Sequence, residues 1–329
     1  LMVQLRLPKE DAAEALEQQL RDEIAGVGCG ISWPWPALDR LFGGLRQGDW
    51  TVLSGTEGSA KSFFMLQLCL HCQRQGIAWK YLPLEEDARF WLRRMVAILA
   101  NDWKITERSQ SSAQARLDAW NTHKPEILEL KNNILENPRL AIESNMVRED
   151  GTPVPKVVPR LPYEEVLQSM QQVMPFCDLL VIDPVTLIDF KIRRYDDGIP
   201  LRCQRFDGEE EFVRDFEGYV ASYNCHVVVV THTTKDGALV QGSGDWTRFS
   251  QNSMKLIRHD PTDSTVIRPN QYTKRPEEVD IEDHLRTLQL HKTRNGPGSG
   301  MHIAYDYSER GPSVEEHGVI KKAKKKGGK

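Results

Sequence analysis

Gly55-Thr56-Glu57-Gly58-Ser59-Ala60-Lys61-Ser62 is the stretch from which the rest of this 329-residue chain can be read. It follows the apolar run Trp50-Thr51-Val52-Leu53 and opens onto Phe63, Phe64, Leu66 and Leu68. That is the strand, glycine loop and helix succession a phosphate-binding loop requires. Backbone N–H groups of such a loop, with the positive end of the helix behind it, wrap phosphate oxygens. Lys61 is placed to neutralise phosphate charge and the Ser62 hydroxyl to hold magnesium, so all eight residues are candidate ligands of ATP or another nucleoside triphosphate with Mg2+. Gly55 and Gly58 keep the loop pliable. Ala60 stands where glycine normally precedes the lysine, and retained binding with altered affinity is expected.

Two acidic positions complete the reading. Leu179-Leu180-Val181-Ile182-Asp183 is a strand-sized apolar run ending in a carboxylate, and the C-terminal end of a parallel strand faces the crevice where ligands bind. Asp183 is therefore a candidate to act on magnesium. Hydrolysis also needs a group that activates water. The second strand, over 78–82, runs into Leu84-Glu85-Glu86-Asp87. Glu85 is the chosen base with Glu86 as its fallback, while Asp87 suits the cap of the helix that follows.

Outward from this core, strands alternate with helices, which predicts an α/β fold: a mainly parallel central sheet with helices on both faces. A helix is expected over 88–100, then a polar insertion over 101–162 with helices at 113–120 and 125–135. Further expectations are a helix at 163–173, a buried strand at 226–230, an exposed insertion at 260–282, and C-terminal antiparallel strands near 285–291 and 301–305 around a glycine-rich turn. Residues 1–25 read as a linker helix with Ala12, Leu16, Leu20 and Ile24 on one stripe, lying either on its own domain or on a neighbouring subunit. Residues 26–310 form the main domain, and 311–329 read as a basic disordered tail. Opening on Leu1 rather than Met, the chain reads as a fragment.

A net charge of −4 gives no global nucleic-acid signature, so any such contact must come from local basic loops. The longest apolar runs are far too short to span a membrane. No leader is visible, and the expected location is the cytoplasm, or a host cytoplasm for a viral protein. Cys69 and Cys72 have the spacing of a metal half-site but no second pair, so packing is the better reading.

Three further pieces resemble one family. Leu84-Glu85-Glu86 is similar to the catalytic-glutamate motif of the DnaB-like replicative helicases. Val228-Val229-Val230-Thr231-His232 resembles their sensor strand, with histidine at its end as in phage and mitochondrial primase-helicases. Lys292-Thr293-Arg294-Asn295-Gly296-Pro297 resembles the Lys-x-Arg-Asn-Gly-Pro turn near the end of the DnaB motor domain. The resemblance, over roughly Gly26 to Asp306, implies a RecA-like P-loop NTPase fold. It implies a homohexameric ring moving 5′ to 3′ on single-stranded DNA, with a primase or other replication proteins as further partners. It makes Lys292 and Arg294 a pair that reaches a neighbouring subunit's ATP, and His232 a γ-phosphate sensor. Val240-Gln241-Gly242-Ser243-Gly244 is similar to the family's Arg-Gly-Ser-Gly loop with Gln241 in the arginine's place. Gly242, Ser243 and nearby Lys235 are thus candidate DNA contacts, as are Lys191, Arg193 and Arg194 after Asp183. The alternative is a RecA-fold ATPase that binds DNA or a partner protein without unwinding.

Overall fold

The computed structural model describes residues 14, 17, 20–21, 30–106, 111–135, 137, 160–190, 193–196, 199–202, 205–233, 245–258, 265–269, 273, 275–280, 286–307 and 312–321. Of the expected linker helix only Glu14, Glu17, Leu20 and Arg21 are described; all are helical, and Arg21 pairs with Glu17 one turn away.

Ten strands form one sheet: β1 (Trp50–Gly55), β2 (Trp79–Pro83), β3 (Leu179–Asp183), β4 (His226–His232), β5 (Asn252–Arg258), β6 (Thr265–Pro269), β7 (Pro276–Asp280), β8 (Arg286–Lys292), β9 (His302–Tyr307) and β10 (Val314–Lys321). Their order across the sheet is β7-β6-β10-β9-β8-β5-β1-β4-β3-β2. Neighbours from β5 to β2 pair in parallel, and those from β5 to β7 antiparallel. This is the RecA-like arrangement, a parallel core of strands β5, β1, β4, β3 and β2 extended by antiparallel C-terminal strands.

The parallel strands are buried on both sides, which is why they read as unbroken apolar runs. Successive side chains alternate between faces. Leu53, Tyr81, Leu179, Val181, Val228 and Val230 pack into one core with α2 (Lys61–Arg74) and α3 (Ala88–Ala100). Trp50, Val52, Leu82, Leu180, Ile182, Val227 and Val229 pack into the other with α5 (Tyr163–Val173) and α6 (Arg205–Ser222). A one-residue slip would exchange the two sets, so register is fixed by packing. Cys69 and Cys72 are fully buried in the first core, and no metal-binding group of acids, histidines and cysteines occurs among the described residues.

Three expectations need correction. Residues 113–135 carry one helix, α4 (Ala113–Leu130), rather than two; Pro125 lies inside it and costs a backbone bond, while Ser112 caps its start by accepting the Ala115 N–H. The stretch read as an exposed insertion at 260–282 supplies β6 and β7, which prolong the sheet at its edge. The reading of 311–329 as a disordered tail fails over 314–321, which form β10 between β9 and β6. Val314 and Ile320 are buried there, and the Glu316 carboxylate accepts the Ala37 and Leu38 N–H groups at 2.8–3.0 Å. That carboxylate caps α1 (Pro36–Phe42), a role its place in a charged run concealed. Residues 322–329 lie outside the described residues.

His226 lies fully buried at the start of β4, its ring 3.0 Å from Thr51 Oγ1 and 2.7 Å from the Arg46 carbonyl. The carbonyl can only accept, so Nδ1 carries the proton and Nε2 accepts from Thr51. Burial holds its pKa down at about 4, against 6.5 when free. The unfolded chain therefore takes up the proton first, and stability present above about pH 6.5 is lost as the pH falls towards about 4, on the order of 3 kcal/mol in all. Urea unfolding across that window is expected to show a steeper loss for the native chain than for His226→Gln.

Candidate nucleotide-binding site

The phosphate-binding loop springs from the C-terminal end of β1, where the parallel strands leave a crevice. Gly55 sits beside Leu256 of β5 so closely that a Cβ would lie 2.4 Å from the Leu256 carbonyl oxygen, which excludes any side chain. Ala60, immediately before α2, is left-handed with φ 67° and ψ 27°. A methyl group in that region costs about 1–2 kcal/mol, which is why glycine is the ordinary occupant. Lys61 is buried, and its Nζ donates to the Gly55 and Thr56 carbonyls, both at 2.9 Å, curling over the loop. Burial lowers its pKa, opposed by Asp183, Glu85 and Glu57. Ser62 Oγ donates to Asp183 Oδ2 at 2.8 Å, joining loop to β3.

These groups line a cavity of about 470 Å³ together with Glu85 and His232. Glu85 lies just past the end of β2, after Leu84, and opens onto the cavity. Burial, then the charges of Asp183, Glu86 and Glu57, raise its pKa, so that this carboxylate holds a proton more readily than a solvated one. His232 ends β4 next to Gly55 in register; burial and then the Lys61 charge lower its pKa and favour the neutral ring. Asp87 caps α3, accepting the Phe90 N–H at 2.9 Å.

Several groups in or behind the cavity wall carry no sequence signature. Tyr81 on β2 donates its hydroxyl to Asp183 Oδ2 at 2.5 Å, so this one carboxylate oxygen takes both Tyr81 and Ser62. The sequence carries no signal for this: only the pairing of β2 with β3, which sets Pro83 opposite Asp183, brings Tyr81 near that carboxylate. Arg94, Phe63, Trp91 and Trp103 wall the cavity on the α3 side, and Arg286 on the β8 side. Arg94 carries no motif, because only the fold of α3 brings it beside Glu85.

The Lys292–Pro297 turn lies elsewhere. Beside the P-loop, Gly55 is level with Leu256 and Leu288, whereas Lys292 pairs with Ser253 near the start of β5. From Arg286 in the cavity to Lys292 is six residues of strand, about 20 Å. Lys292 Nζ donates to the Arg248 carbonyl at 3.1 Å and to the Ser250 carbonyl, and the Arg294 N–H donates to Asn252 Oδ1 at 2.8 Å. The turn is seated on α1: the Gly298 N–H donates to the Leu41 carbonyl at 2.8 Å, and a Cβ at Gly296 would meet that same oxygen at 2.4 Å. Arg193 and Arg194 begin a short hairpin with 199–202. Lys191, Lys235, Gly242 and Ser243 lie outside the described residues.

The donor set suits magnesium with a nucleotide. A hydroxyl and a carboxylate already 2.8 Å apart are hard oxygen ligands, and magnesium completes its shell with phosphate oxygens and water rather than a protein cage. Ala60→Gly is expected to remove the left-handed penalty while adding about 0.5–1 kcal/mol of glycine backbone entropy, for a net gain of up to about 1.5 kcal/mol. Urea unfolding measures it; a loss of stability would mean that the loop carries no strain at Ala60.

A sequence profile described as an AAA domain matches residues 18–238, more than half of the chain. No curated protein sequence matches it. Among solved structures, a DnaB-like replicative helicase, described with its interactions with primase, superposes with a TM-score of 0.62 at 14% identity, over 93% of this chain and 66% of that one. This chain thus spans just under two thirds of that helicase. A second solved structure, an ATPase domain on its own, superposes with a TM-score of 0.61, also at 14% identity, over 93% of this chain and 99% of its own length. The chain belongs to the AAA-domain family, and its fold is the RecA-like ATPase fold of DnaB-like replicative helicases.

Proposed function

We propose that this chain is the motor of a hexameric DNA helicase that hydrolyses ATP at its subunit interfaces and moves 5′ to 3′ on single-stranded DNA. The observation that carries the reading is the separation of its charged groups. Lys61, Ser62, Asp183, Glu85 and His232 converge on one cavity, while the Lys292–Arg294 turn is fastened at the other end of the strands. A turn held about 20 Å away serves the cavity of another subunit, not its own.

Within the cavity Lys61 leaves the loop carbonyls to bind phosphate oxygens. Ser62 and Asp183 would hold magnesium, which when bound would neutralise part of the phosphate charge. Glu85 orients the attacking water and accepts its proton, for which its raised proton affinity is suited. His232 hydrogen-bonds the terminal phosphate and links its loss to the segment that follows β4. From the next subunit Arg294 bridges the transferring phosphoryl oxygens with its planar fork, with Lys292 beside it. Lys191, Arg193, Arg194, Lys235, Gly242 and Ser243 supply the DNA-contacting loops, and a primase is a fitting partner for such a motor.

A second reading, a RecA-fold ATPase that binds DNA or a protein without unwinding, is favoured by Gln241 in place of the arginine and by the net charge of −4. ATPase rates with and without single-stranded DNA, alongside strand displacement on a forked duplex, separate the two. The motor reading expects DNA-stimulated hydrolysis with displacement; hydrolysis indifferent to DNA and no displacement would sink it. Arg294→Ala is expected to keep ATP binding and lose hydrolysis by about 10³-fold or more, the worth of an arginine supplied in trans. Normal hydrolysis by that variant would remove the interface model.

A further inference from the structure

Arg94 is held as a surface or core arginine is not. Its guanidinium carbon lies 4.3 Å from the Phe90 ring centroid, 5.0 Å from Phe63 and 5.1 Å from Trp91, so aromatic rings border the cation and fix it in place. Phe63 is in turn braced by Trp103, ring centroids 4.8 Å apart. The side chain is half-buried and lines the cavity with Lys61, Ser62 and Glu85. Yet the guanidinium makes no hydrogen bond or ion pair with another described residue, although Asp183, Glu85 and Glu86 are near enough to act on it through space. Burial weakens its hold on its proton, as it does for a charge removed from water and left without a bonded partner.

A charge withdrawn from water without a partner is costly unless something completes it. The rings supply only part of that stabilisation, and they satisfy none of the guanidinium's N–H donors, which suit the oxygens of a phosphate that enters the cavity. The cavity wall also carries Glu57, Glu85, Glu86 and Asp183, a negative lining that a polyphosphate enters only against compensating cations. Arg94 is on the same β2–α3 unit as Glu85, so it stands on the side where the water-activating group stands, not on the side of Arg286.

We propose that Arg94 is a phosphate-binding residue acting within its own subunit, whose N–H edge takes the terminal phosphate of the nucleoside triphosphate. The inference rests on the ATPase reading above and adds a second cation to Lys61 in the same cavity. A contact with the terminal phosphate is absent from the diphosphate, so Arg94 discriminates triphosphate from diphosphate as well as binding it.

Trp91 and Trp103 border the cavity, so tryptophan fluorescence reports nucleotide entry. The probes are AMP-PNP, a triphosphate that is not hydrolysed, and ADP, each with magnesium, titrated into the full chain. Arg94→Met keeps an adaptable side chain on the rings without the charge. It is expected to weaken AMP-PNP by about 10- to 100-fold, the worth of a charged hydrogen-bonded contact, while ADP stays within about twofold. Arg94→Lys keeps the charge and loses the fork, and its preference is expected between the two. If neither variant loses the triphosphate selectively, whether both nucleotides hold or both weaken together, Arg94 is only a packing residue and the proposal falls. A native chain that binds neither nucleotide overturns the ATPase reading as well, whereas native binding with unchanged variant preference overturns the role of Arg94 alone.

Discussion

Strand β1 is hydrogen-bonded along both edges by parallel partners, β4 and β5, and every one of its residues is buried. A strand so enclosed has no edge and no face on which to carry a functional group, so chemistry can begin only where it ends. The same holds for β3 and β4, whose apolar lengths terminate at Asp183 and His232. Parallel alignment brings these ends together on one side of the sheet, and Glu85, just past the end of β2, joins them. The nucleotide site is in this sense the polar rim of a sheet whose interior is fully committed to packing.

That rim is legible in the sequence because its members close strand-sized runs: Gly55 at the end of β1, Asp183 after four aliphatic residues, His232 after four valines and a threonine. The parallel half of the sheet is legible for the same reason. What stays hidden has mixed or local character. Tyr81 looks like any strand aromatic until pairing sets β2 against β3, and Arg94 lies in a helix whose only visible pattern is amphipathic. Strand β10 is masked by Glu315, Glu316 and His317, which separate Val314 from Val319 and Ile320, and one of which caps a helix. Pro125 suggests a break in α4, but tertiary packing of Ile127 and Leu130 carries the helix through it.

Aromatic residues provide the mechanical frame between these parts. Trp35 stacks on Phe64 of α2 at 4.0 Å with the rings 15° from parallel, meets Tyr305 of β9 edge-on, and donates its indole N–H to the Val314 carbonyl. The helix that begins in the phosphate loop is thus packed, through one tryptophan, against the antiparallel strands. Helix α1, which follows Trp35, offers the Leu41 carbonyl on which the Lys292–Pro297 turn is seated. The phosphate loop and the distant turn are therefore attached to one rigid layer rather than to separate loops.

Glu316 gives this layer a practical boundary. Its carboxylate is the acceptor for two N–H groups at the start of α1, and the backbone of β10 is the acceptor for Trp35 and the pairing partner of both β9 and β6. A gene trimmed just after the glycine-rich turn and β9, where the recognisable motifs stop, would yield a polypeptide with an uncapped first helix, a stranded indole N–H and an exposed sheet edge on β9. The smallest unit of this protein suitable for expression therefore extends past the motifs to Lys321 at least.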